Sequence, residues 1–111
     1  MKKIAIPSTH GLLGAHFGHC ENFHIYETEG GEVKNKETIT PPPHQPDLYP
    51  NWLNKKDITD VISGGMGQAA IDNFKLKGIN VYTGAPQEPP DKIIHNFLNG
   101  TLEITANLCD H

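Results

Sequence analysis

The chain has 111 residues, which by length is a single domain spanning residues 1–111. Its net charge is −4 and all nine cationic residues are lysine, so arginine, the bidentate clamp for phosphate and guanine, is missing. No basic stripe, long apolar run or leader-like segment is present, which argues against nucleic-acid and membrane partners and makes the cytoplasm the expected compartment.

Apolar residues make up only 36% of the chain, while 11 glycines and 9 prolines imply long, shaped loops. The length still allows one real core, so the fold is not expected to need a metal. Residues 2–7 read as a first strand, stopped by Pro7. Residues 8–21 read as a loop rich in glycine and histidine. Alternation of Phe23 and Ile25 against His24 and Tyr26 predicts a strand over 23–27. Gly30-Gly31 supplies a hairpin turn into a polar third strand over 33–40, whose lysines suit an edge. The proline-rich stretch 41–50 is expected to be irregular and stiff. Trp52-Leu53 opens a short helix ending near Lys56. Val61-Ile62 marks a buried strand within 59–63, and Gly64-Gly65-Met66-Gly67 turns it into a helix over 68–77. That helix places Ala70, Ile71 and Phe74 on one face and stops at Gly78. A strand over 79–83 and a helix over 91–99 follow, the latter with Ile93, Ile94, Phe97 and Leu98 inward and Gly100 as its stop. Three strands, then strands alternating with helices, imply a mixed sheet covered on both faces.

The chemistry-bearing residues gather at three points. His16-Phe17-Gly18-His19-Cys20 lies in a loop between strands, where functional groups are commonly presented. The chain closes on Cys109-Asp110-His111, and His44 follows Pro41-Pro42-Pro43. In the cytoplasm these two cysteines are expected as thiols, and thiolate and imidazole are ligands for zinc, copper, iron and metal–sulfur species. One folded site is the expectation, with Cys20 and His19 first, Cys109 and His111 next, then His16 and His44. Gly64, Gly65, Met66 and Gly67 lack the lysine and hydroxyl of a P-loop and do not fit GxGxxG. Their amides, at a helix N-terminus, would suit an anionic cluster. His10, His24 and His95 read as structural. No serine sits in a nucleophile elbow, and paired carboxylates on buried strands are absent.

These segments carry a resemblance. Ile4-Ala5-Ile6-Pro7, His16-Phe17-Gly18, Phe23, Val61-Ile62-Ser63-Gly64-Gly65-Met66-Gly67, Ala70 and Gly78-Ile79-Asn80-Val81-Tyr82-Thr83-Gly84 together resemble the dinitrogenase iron–molybdenum cofactor biosynthesis family, which includes NifX and the C-terminal domain of NifB. The resemblance covers nearly the whole chain. It implies a ribonuclease H-like three-layer α/β/α fold with a five-stranded mixed sheet. It also implies non-catalytic carriage or assembly of a metal–sulfur cluster of iron, molybdenum or copper, as in the orange protein with its molybdenum–copper sulfide cluster. A cluster-handling ATPase of the Mrp type, or a client metalloprotein, is the partner it implies. His19-Cys20 stands where many relatives have an arginine and a small residue, and the Pro-His arm and Cys-Asp-His tail look like a distinct subgroup. The rival expectation is a mononuclear zinc or iron site in a regulatory or interaction module, since two thiolates and two imidazoles make an ordinary zinc site.

Overall fold

A computed structural model describes residues 2–13, 20–41 and 48–102. The elements run β1 (Lys2–Thr9), β2 (Leu12–Leu13), β3 (Asn22–Glu29), β4 (Glu32–Ile39), α1 (Leu48–Lys55), β5 (Asp60–Ile62), α2 (Gln68–Leu76), β6 (Asn80–Tyr82) and α3 (Pro90–Asn99). The sheet is mixed, in the order β4-β3-β1-β5-β6, with β2 paired to β1. β1 is antiparallel to β3 and parallel to β5, and β5 is parallel to β6.

Side chains alternate across this sheet and build two cores. On one face Ala5, Phe23, Ile25 and Val61 meet Tyr49 and Leu53 of α1 and Phe74 of α2. On the other, Ile4, Ile6, Tyr26 and Ile62 meet Ile93 and Ile94 of α3, with Phe97 and Leu98 alongside. Helices therefore cover both faces, as the order of elements predicts.

Three expectations are corrected. The sheet has six strands, not five, because residues 8–21 are not all loop. His10 (φ 54) and Gly11 (φ 80) make a two-residue turn with both φ positive, and Leu12 folds back opposite Thr9. This is the same primed-turn geometry as Gly30 (φ 61) and Gly31 (φ 80), which the sequence does announce. β1 also runs through Pro7 to Thr9. Its pairing with β5 is at Ile4 and Ala5, and β2 takes over at Ser8. Pro7 falls in the gap between those partners, where a missing N–H is tolerated. Finally, α1 starts at Leu48, before Trp52. Pro50 lies in its first turn, where the amide has no intrahelical acceptor to lose. Burial of Tyr49 in the core favours helix there over an irregular chain.

Polar clamps fix the layers. Asp60, fully buried at the start of β5, accepts from Thr59 Oγ1 (2.6 Å) and Asn80 Nδ2 (3.4 Å), with Lys2 Nζ at 3.6 Å. Asp91 Oδ1, in the first turn of α3, accepts from Tyr26 (2.7 Å) and Lys36 (2.6 Å), tying α3 to β3 and β4. These two donors hold the Asp91 carboxyl below its ordinary value, while burial and then Asp91 itself push the Tyr26 phenol up.

Candidate functional site

The parallel strands β1, β5 and β6 all end on the same side of the molecule, the crevice side of an α/β sheet. By register Ile62 lies level with Ile6, so residues 63–67 leave the sheet beside residues 7–9. Asn22 pairs with Ser8, and the Glu21 amide donates to Ser8 O (2.8 Å), which brings Cys20 to this end as well. Ile39 pairs with Phe23, so β4 also exits here. Of the residues that sequence reasoning singles out, Cys20 and Gly64, Gly65, Met66 and Gly67 are thus on one end of the sheet. His16, His19, His44, Cys109 and His111 lie outside the described residues.

Cys20 is half-buried against the α1-side core. Burial pushes its thiol up from 9.0 to about 11, partly offset by a hydrogen bond at the Cys20 backbone. At neutral pH it is a thiol, and becoming a ligand requires losing the proton. Tyr49 is buried nearby. Burial raises its phenol, and the proximity of Cys20 raises it further. Tyr49 stacks edge-on to Phe23 (centroids 5.5 Å), and Trp52 lies tilted 5.6 Å from Phe23. The result is an aromatic wall under the cysteine. Sequence reasoning missed it because Tyr49 falls in the proline-rich stretch read as irregular. The only local signal was the i, i+3 spacing of Tyr49 and Trp52.

The glycine turn is locked from behind. Ser63 Oγ donates to Gly65 O (3.1 Å), Ser63 N to Tyr82 O (2.8 Å) and Ala85 N to Ser63 O (3.1 Å). Gly64, Gly65 and Met66 are buried, and Met66 belongs to the core with 1% exposure. Gly67 is the exposed N-cap of α2, with no side-chain cap, and a Cβ there would meet nothing within 4 Å. Its glycine is therefore not required by packing around Cβ.

His24 is held as a structural residue. Ser8 Oγ lies 2.9 Å from its Nε2 and Thr38 Oγ1 3.2 Å from its Nδ1, so both ring nitrogens are engaged. Burial, then Lys36, lowers its pKa below the ordinary histidine value. Among the described residues no three His, Cys, Asp or Glu side chains come together as a metal-ion site. Cys20 is the one thiol among the described residues.

Comparison with known proteins gives a consistent result. The family described as "Dinitrogenase iron-molybdenum cofactor" matches residues 1–100. The uncharacterised protein MJ0580 of Methanocaldococcus jannaschii is 35% identical over 108 residues, covering 93% of this chain and 91% of its own. The crystal structure of PH0822 superposes with a TM-score of 0.86 at 30% identity, covering 92% of this chain and 93% of that one. The apo form of the orange protein from Desulfovibrio gigas shares the fold, with a TM-score of 0.77 at 19% identity over 96% and 95% of the two chains. The chain belongs to the dinitrogenase iron–molybdenum cofactor family.

Proposed function

We propose that this protein carries or assembles a metal–sulfur cluster of iron–sulfur, iron–molybdenum or molybdenum–copper type, without catalysing a reaction. The observation that carries the reading is the shared end of the sheet. A family member presents its one described thiol, Cys20, and its glycine turn at the start of α2 on the same crevice. In this reading Cys20 and His19 are the principal ligands, joined by Cys109 and His111 and then by His16 and His44. The amides of the 64–67 turn form an anion-tolerant wall, since the α2 N-terminus carries partial positive charge.

After Gly100 (φ 73) the chain reverses, and the amides of Thr101 and Leu102 both donate to Asn96 O. The non-catalytic part of the reading is supported by the two serines: Ser8 is 2% exposed and Ser63 is fully buried. We assign the three layers to the ribonuclease H-like type. A cluster-handling ATPase of the Mrp type, or a client metalloprotein, would be the delivery partner.

The test is anaerobic purification followed by metal analysis, acid-labile sulfide and visible absorption. A coloured protein releasing sulfide on acidification supports a cluster. A colourless protein with one zinc and no sulfide overturns it in favour of a mononuclear site.

A further inference from the structure

Along the sequence the lysines fall in scattered pairs, but the fold sorts them. Lys2, Lys34, Lys36 and Lys92 have carboxylate partners, at Asp60, Glu32, Asp91 and Glu88. Among the described residues, Lys3 on β1 has none within 4.0 Å, and neither do the four helix lysines Lys55, Lys56, Lys75 and Lys77, of which Lys77 Nζ donates to the neutral Asn73 Oδ1. All four lie where α1 and α2 finish, side by side on one face of the sheet. Backbone bonds join those two ends to the same corner. The Thr59 amide, just beyond α1, donates to Lys3 O (2.8 Å), and the Asn80 amide, just beyond α2, donates to Thr59 O (3.0 Å). Between Lys75 and Lys77 stands Leu76, 87% exposed, by far the most exposed large apolar side chain among the described residues.

We infer that this corner, at the opposite end of the sheet from Cys20, is a docking surface for an acidic segment of a partner protein, with Leu76 as its apolar contact. Lysines in the last turn do complement a helix dipole, yet that effect falls off within one turn and gives Leu76 no reason to stand in water. Asp57 is the acidic residue closest in the chain, between Lys56 and β5, and forms no ion pair with these lysines. The patch is thus a concentrated positive surface on a protein whose net charge is −4. That sign difference fixes how a negative partner would be oriented, because the rest of the surface repels it. A long nucleic acid would feel that repulsion along most of its length, and the patch offers no arginine fork. A compact acidic peptide with an aliphatic side chain fits both the charge and Leu76. Docking here would leave the Cys20 end uncovered. The inference does not depend on what that end binds.

The experiment uses the isotope-labelled full chain and amide NMR, titrated with a short glutamate-rich peptide carrying two central leucines. The expected result is chemical-shift change confined to residues 55–57 and 75–78, weakening as salt is raised. Lys55→Glu combined with Lys75→Glu should weaken binding by roughly tenfold or more, because it reverses charge at both helix ends. Leu76→Ser should weaken it several-fold with the salt dependence unchanged. The same spectra report whether each variant is folded, and all three sites are exposed. Shifts elsewhere, or binding indifferent to the charge reversal, would overturn the inference. So would tighter binding of an RNA oligonucleotide or phosphatidylserine vesicles at the same corner.

Discussion

Metal capture by Cys20 should be coupled to proton release. Burial sets the thiol at about 11, so at pH 7 only ~10⁻⁴ of the molecules carry a thiolate there. A metal must therefore displace a proton, and each proton displaced makes the apparent affinity rise about tenfold per pH unit. Cadmium is a suitable probe, because its bond to a thiolate absorbs in the ultraviolet. Titrations between pH 6 and 8.5 should show that slope for one thiol, and about a hundredfold per unit if Cys109 releases a second proton. Cys20→Ser should weaken the thiolate band, and abolish it where Cys20 is the one thiolate ligand, while costing the half-buried site only ~1 kcal/mol of stability. The alkaline side offers a check of the same burial. Below pH 9 the thiol is protonated in both folded and unfolded chains. Between 9.0 and about 11 the unfolded chain ionises first, so the native state should lose stability as pH rises, and Cys20→Ser should flatten that loss. Cadmium affinity independent of pH, or unchanged in Cys20→Ser, would refute the reasoning.

Met66→Ala should lower stability by about 2–5 kcal/mol in urea denaturation, since it empties a core position. If stability holds and metal retention fails instead, Met66 belongs to the site and not to the core. Gly65→Val should weaken cluster binding more than folding, with both measured on the same protein; normal cluster binding would dismiss the 64–67 cradle. Asp91→Asn removes the charge that Tyr26 and Lys36 share while leaving an amide oxygen that can still accept, and loss of the exposed Lys36–Asp91 ion pair should cost only ~0.5–1 kcal/mol at pH 7. Because the Asp91 carboxyl is held below its ordinary 3.8, its contribution is present above that pH and lost on acidification below it. The variant's denaturation midpoint should therefore fall less than the parent's between pH 5 and 2. Chelation of any bound metal should leave the far-ultraviolet circular dichroism of the sheet and helices in place. Collapse to a coil spectrum would show that the metal supplies folding energy.

The amino-acid sequence alone determined what depends on neighbours along the chain. The apolar spacing of Ile93, Ile94, Phe97 and Leu98 made α3, Gly100 ended it, and Gly30-Gly31 made the hairpin between β3 and β4. Those are 3.6-residue periodicity and positive-φ chemistry, which act within a few residues. The motif set also identified the family, because its segments can be matched along the chain without knowing what they pack against. Tertiary structure decided the rest. Pro7 reads as a stop, and it is tolerated only because neither β5 nor β2 pairs there. Tyr49 and Pro50 read as irregular chain, but burying Tyr49 beside Phe23 draws them into α1. The aromatic wall beneath Cys20 and the lysine corner around Leu76 join residues tens of positions apart. No spacing rule reaches that far, because such neighbours are set by the closing of the sheet and by which helices share a face.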